Sequence, residues 1–288
     1  MAERPSWTRQ QREVRQAIKG SERETPLQEM QREIQRERLP WYRAFHRGQV
    51  LLALYTLLLG LFALLAWWVH VHPVLTIDVA ITREFQEEHS PWLRTLMLAI
   101  SFIGSVPLLA AGLVLATAIL LWLVRLRLEA LILLGNCLSS ELLNHSVKLL
   151  VARPRPSPTL VEVLQAARGA SFPSGHVMAY VAYWGLLFSY GLILFQGRSW
   201  WRILLLLLSG FFIVMVGPSR IYLGDHWAND VLGGYLLGGV WLSLWLLLYL
   251  RLRERGLLTP VNLHKKPLPQ EEEAKSGSSA SWRGRDQS

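Results

Sequence analysis

PSGHVMAYVAYWGLLFSYGLILF, residues 173–195, joins a polar turn to an uninterrupted apolar run. From Val177 to Phe195 no residue is charged. That length approaches the roughly 20 apolar residues a helix needs to cross a bilayer. A helix opening at Ser174 and Gly175 presents backbone N–H groups with no intrahelical partner, and its dipole favours an anion there. Gly175 allows close backbone approach. His176 falls in the first turn, beside the same anion. Taken alone, these four residues also read as an ordinary turn and cap.

Five further runs have the same character. Six spans are predicted, at about residues 50–71, 106–124, 129–149, 175–195, 203–218 and 228–250. A shorter stretch, about residues 92–104, is interrupted by Arg94, Ser101 and Gly104 and reads as an interfacial or re-entrant helix. The expected fold is all-α: a polytopic membrane helix bundle of six transmembrane helices plus an interfacial helix. Composition agrees, with 51% hydrophobic residues, 13 Trp and a mean hydropathy of +0.25. These values exclude an ordinary soluble domain. Trp67, Trp68, Trp92, Trp122, Trp200, Trp201 and Trp227 lie near span ends and read as interfacial anchors. The single cysteine, Cys137, excludes an intrachain disulfide.

The net charge of +9 raises nucleic acid as a partner. Its distribution argues instead for anionic lipid. Eleven Lys and Arg precede residue 48, Arg125, Arg127, Arg198 and Arg202 lie between spans, and eight follow from Arg251 onward, so 23 of 30 fall on one side of the six-span layout. The positive-inside rule makes that side cytoplasmic and puts both termini there. Three organisational units follow: a charged cytoplasmic segment 1–48, a six-span domain 49–252, and a cytoplasmic, disordered tail 253–288. Within the first, Thr25-Pro26-Leu27-Gln28 has the form of a capping box. An amphipathic helix on the inner leaflet and a solvated helix are equally compatible with it.

Two other strings stand beside Pro173-Ser174-Gly175-His176. Lys148 and Arg155-Pro156 end the third span, and Ser219-Arg220 with His226 and Asp230 bridges the fifth and sixth. On this layout all three strings reach the extracytoplasmic face. His226 and Asp230 have i,i+4 spacing and share a helical face. Asp230 can fix the tautomer of His226 and leave its other nitrogen free to attack. Capping is the plainer role for such a pair, and Asp225 could cap the same helix. Arg155 and Arg220 offer planar forks for phosphate oxygens, and Lys148 a compact charge. Arg153 either contacts a head group or sits at the interface. Glu141, Asn144 and His145 read as a polar stripe between helices. Leu160, Val161, Val163 and Leu164, in the linker 157–172, suggest a lip lying on the membrane. No Asp, His or Glu cluster has metal-ligand spacing.

Taken together, Lys-(six residues)-Arg-Pro, Pro-Ser-Gly-His and Ser-Arg-(five residues)-His-(three residues)-Asp resemble the three-part signature of the type 2 phosphatidic acid phosphatase family. That family includes lipid phosphatases, undecaprenyl pyrophosphate phosphatases, glucose-6-phosphatase and vanadium haloperoxidases. The match runs from Lys148 to Asp230, and the span layout extends it to about residues 50–250. The resemblance implies that His226 attacks phosphorus to give a phosphohistidine and that Asp230 orients it. It implies that His176 protonates the leaving oxygen and then deprotonates water. Lys148, Arg155, Ser174, the Gly175 N–H and Arg220 would hold the equatorial oxygens, with no cofactor and no metal. The expected partners are a lipid phosphate substrate and membrane lipids, with undecaprenyl pyrophosphate first and phosphatidic acid or phosphatidylglycerol phosphate next. Lipid phosphotransfer through the same intermediate is the alternative enzyme. A non-catalytic lipid-binding membrane protein is the reading from another class.

Overall fold

A computed structural model describes residues 41–165, 167–194 and 199–255. All regular structure among them is helical: α1 (Trp41–Val71), α2 (Thr76–Gln86), α3 (Pro91–Ser105), α4 (Pro107–Leu123), α5 (Arg127–Val151), α6 (Gly175–Ile193), α7 (Trp200–Tyr222) and α8 (Ala228–Glu254). The predicted capping box at Thr25 and the tail beyond Arg255 lie outside the described residues.

The chain divides into two compact units, residues 1–60 and 61–288. The described part of the first is helical, with an exposed apolar surface that includes Val50, Leu52 and Leu57. The second unit is built around α6, whose residues from Tyr180 to Leu186 are all buried. Leu133 of α5, Leu186 of α6, Val216 of α7 and Tyr249 of α8 are fully buried in this core. Outward-facing leucines such as Leu138, Leu142, Leu149 and Leu207 remain exposed, the arrangement of helices whose outer surface meets hydrocarbon rather than water.

Among the described residues four helical segments are each long and apolar enough to cross a membrane: Gly48–Val71, Gly175–Ile193, Trp200–Tyr222 and Ala228–Glu254. The stretch expected to be interfacial or re-entrant is α3. It meets α4 at 71°, and the pair together would make a fifth such segment. The break has a local cause: Val106 is extended, and Pro107 at the start of α4 disfavours a helical residue before it. Helix α5 is absent from the four. Asn136, Ser139, Ser140, Glu141, Asn144, His145, Ser146 and Lys148 make it too polar, although its 25 residues suffice in length.

Other expectations are corrected by packing. Six of the seven Trp expected at span ends are exposed, but Trp227 is fully buried. It is the N-cap residue of α8, and its indole N–H donates to the Pro154 carbonyl over 3.3 Å. Of the four apolar linker residues expected at a membrane lip, Leu160 and Val163 are half-buried. Val161 is buried, and Leu164 packs with Met97, Tyr222 and Leu223. Gln86 donates to the carbonyls of Glu162 and Tyr222 at 2.7 and 2.9 Å, and Arg83 donates to that of Leu160, so the linker is tied to α2 and α7. Of the polar stripe on α5, Asn144 does bridge helices, donating to Met178 Sδ of α6 at 3.2 Å, whereas Glu141 and His145 are exposed.

Candidate active site

Helix ends deliver the polar residues. Helix α5 stops at Ala152, a left-handed residue whose N–H bonds the Lys148 carbonyl at 2.9 Å. Pro154 and Pro156 then bar further helix. The chain continues without regular structure through Arg153 and Arg155. Helix α6 starts after Ser174, whose backbone N–H donates to the Asp230 carbonyl at 3.0 Å and so ties the first turns of α6 and α8 together. Helix α7 ends in a tight turn at Gly224, where φ is +68° and a β-carbon would lie 2.1 Å from the Glu162 carbonyl oxygen. Beyond it the N–H groups of Asp225 and His226 both bond the Arg220 carbonyl, at 3.2 and 3.3 Å.

The eight residues singled out in the sequence lie at this one end of the bundle. His226 is buried just before α8. Its Nδ1 lies 3.5 Å from Asp230 Oδ2, and its Nε2 lies 3.4 Å from Arg155 Nη1. Arg155 is held by the carbonyls of Gly169 at 3.1 Å and Asp225 at 2.9 Å. Lys148 reaches toward the first turn of α6, with Nζ 3.6 Å from where a β-carbon on Gly175 would sit. Arg220 is fully buried, donates to Ser101 and pairs with Asp225. Asp225 is therefore a counterion to Arg220, and the capping role considered for it belongs to Trp227 and Asp230. The Ser174 hydroxyl, the Arg220 Nε and the His226 Nδ1 are buried without a hydrogen-bond partner among the described residues.

Burial, first, and then the positive charges of Arg155, Arg220 and Lys148 hold the His226 pKa well below its usual 6.5. The imidazole is thus neutral, with a lone pair to offer. Among the described residues no group of three or more His, Cys, Asp or Glu could hold a metal ion.

Comparison with known proteins bears directly on this arrangement. The family model described as PAP2 superfamily matches residues 129–254. Phosphatidylglycerophosphatase B of Bacillus subtilis (strain 168) is 30% identical over 179 residues, which are 62% of this chain and 85% of the relative. The chain is a member of the PAP2 superfamily. It is a lipid phosphatase, a hydrolase of phosphate esters. The crystal structure of a transmembrane PAP2-type phosphatidylglycerolphosphate phosphatase from Bacillus subtilis superposes on the PAP2 chain with a TM-score of 0.60 at 28% identity, covering 68% of this chain and 96% of that one. The crystal structure of Aquifex aeolicus LpxE gives 0.45 at 21% identity, over 60% and 96%.

The structure also brings residues to the PAP2 site that motif spacing did not reveal. Ser105 of α3 lies 3.1 Å from His176 Nε2 and accepts from Gln165 at 2.9 Å. Gly104 lies flat against the same imidazole: a β-carbon there would approach His176 Cδ2 to 2.5 Å. Arg153, expected at a head group or interface, is instead buried between Asp230 and Asp78. Ser101 and Ser105 could have been noticed as an i,i+4 polar pair in an apolar helix. Asp78 was visible as a carboxylate flanked by Ile77 and Val79, but nothing in the sequence names its partner.

Proposed function

We propose that the chain is an integral membrane phosphatase for lipid phosphates that works through a phosphohistidine on His226. Phosphatidylglycerol phosphate is the first candidate substrate, on the strength of the Bacillus relatives' names. Undecaprenyl pyrophosphate and phosphatidic acid come next. The observation that carries the reading is the flanking of a buried, neutral His226, with Asp230 on its Nδ1 side and the Arg155 guanidinium 3.4 Å from Nε2. Asp230 Oδ2, 3.5 Å from Nδ1 with no hydrogen bond between them, sets a negative charge against that side of the ring, and a phosphoryl group in front of Nε2 would lie within reach of cationic donors.

In the first step Nε2 forms a bond to phosphorus as the bond to the lipid oxygen breaks, and His176 gives that oxygen a proton. In the second, water attacks the phosphohistidine, His176 takes the proton, the P–N bond breaks and orthophosphate leaves. Lys148, Arg155, Ser174, the Gly175 N–H and Arg220 neutralise the charge that spreads over the equatorial oxygens. This requires no metal. We further propose six crossings, with the broken pair α3 and α4 passing the membrane together and α5 spanning despite its polarity. Its 25 residues are about 37 Å long. The asymmetry of Lys and Arg favours a cytoplasmic location for both termini, for segment 1–48 and for the tail 253–288, and an extracytoplasmic site in the plasma or inner membrane.

The test is phosphate release from a panel of lipid phosphates by the full chain in detergent, with product analysis to separate hydrolysis from transfer to another lipid. Brief exposure to labelled phosphatidylglycerol phosphate should leave acid-labile, base-stable label on the protein, and His226→Ala should abolish both label and turnover. Turnover by His226→Ala would remove the nucleophile assignment.

A further inference from the structure

Arg153 lies outside the three groups of residues assigned to phosphate, yet it sits at the centre of the most deeply buried ionic cluster in the described residues. Its Nη1 donates to Asp230 Oδ1 at 2.7 Å and its Nη2 to Asp78 Oδ2 at 2.6 Å, and all three side chains are fully buried. The remaining direction is closed as well, because Nε donates to the Pro73 carbonyl at 2.9 Å. The Trp227 ring lies 5.9 Å away, within cation–π range. Asp78, from α2, also accepts from the backbone and side-chain N–H groups of Asn229, both at 3.0 Å. Asp230 Oδ2, meanwhile, accepts from the Trp227 N–H at 2.9 Å and faces His226.

The charges of this cluster form a sequence. If Arg153 faced Asp230 alone, the buried pair would be neutral and would offer little to a positive imidazole ring. With Asp78 on its other side, two carboxylates share one guanidinium, and one net negative charge is left beside His226. In a water-poor interior that difference is felt strongly. On the proposed mechanism the His226 ring becomes cationic when it carries the phosphoryl group, since Nδ1 keeps its proton.

We infer that Asp78 is a positioning residue for this reaction: by neutralising Arg153 it leaves the charge of Asp230 free to orient His226 and stabilise its cationic form. This rests on the reading of His226 as the nucleophile. Asp78 never touches the phosphate, so its effect belongs to kcat and not to KM.

Asp78→Asn in the full-length protein keeps the size and the acceptor for Asn229 but removes the charge. With phosphatidylglycerol phosphate in detergent, kcat should fall about 10- to 100-fold, the scale of losses when a residue that orients a metal ligand is removed, while KM holds. Asp78→Glu, which restores the charge, should recover most of the loss. Asn229→Ala removes a contact of Asp78 without changing any charge and should leave kcat near wild type. Wild-type kcat in Asp78→Asn would overturn the inference. So would an equal loss in Asn229→Ala, or a loss carried by KM in both Asp78 variants, since either would make Asp78 a structural tie. If Asp78→Asn does not fold, Asp78→Ser serves in its place, because it removes the same charge with a smaller side chain that cannot clash with the Arg153 guanidinium. A kcat-specific loss is expected, and an unchanged kcat overturns the inference. An active His226→Ala would sink the nucleophile reading, whereas an inactive His226→Ala beside a fully active Asp78→Asn would sink this inference alone.

Discussion

At the scale of single residues, His226 shows how burial prepares a group for chemistry and charges stability for it. Its pKa in the folded chain lies well below the 6.5 of an unfolded histidine. Below pH 6.5 the unfolded chain therefore binds a proton that the folded chain refuses, so stability falls as pH drops from 6.5 toward the folded value and is unaffected above 6.5. Thermal unfolding in detergent should show a steeper acid decline for wild type than for His226→Asn, and parallel profiles would contradict the assignment. Gly104 makes a second case. Gly104→Ala must push the His176 ring aside, because the new carbon would meet Cδ2 at 2.5 Å. Turnover should fall by as much as about 100-fold, the usual scale for a displacement near 1 Å. Circular dichroism of the purified variant should stay helical. The motif residues could be found in the sequence because their chemistry recurs at short, fixed spacings. Asp78, Ser105 and Gln165 could not, because each meets its partner across 60 or more residues, and only the packing of α2 and α3 against the bundle brings them there.

Among the elements, α7 carries the most local tension and the most local compensation. Pro218 lies inside it and cannot donate to the Val214 carbonyl four residues back. Tyr235 of α8 fills the gap: its hydroxyl reaches the carbonyls of Ile213 at 2.7 Å and Val214 at 3.3 Å and accepts the Gly217 N–H at 3.1 Å. Bound backbone of this kind is what allows a proline within an apolar helix. Tyr235→Phe should cost about 1 kcal/mol, the net value of a typical internal hydrogen bond, measured as a lower unfolding midpoint in detergent. A proline two residues from Arg220 is plain in the sequence, but the phenol that answers it comes from a different helix. Likewise the apolar run 92–104 was readable as a helix unlike the others, whereas its 71° turn into α4 depends on Val106 and Pro107 and on core contacts.

For the whole molecule, apolar run length was sufficient to locate the helices between Val50 and Leu250 except α2, whose Asp78, Arg83 and Glu84 leave no apolar run to read, since crossing hydrocarbon imposes both length and apolarity. It stopped α7 at 218, short of its end at Tyr222, because the final turn with Ser219 and Arg220 is polar. The proposed orientation is checked by cysteine labelling after Cys137→Ser. Thr159→Cys, which is exposed, should react with an impermeant maleimide added outside intact cells, and Arg125→Cys only after permeabilisation. The reverse pattern would invert the topology.

The pairing of Arg220 with Asp225 bears on what happens after the chemistry. On the proposed mechanism, a head group that takes the Nη side of Arg220 meets the Asp225 carboxylate paired there, and a departing orthophosphate lets that pair re-form. Such a latch speeds clearance at the expense of grip. Asp225→Asn should therefore tighten competitive inhibition by orthophosphate and slow turnover at saturating lipid. An unchanged inhibition constant would mean that the two groups stay clasped throughout the cycle.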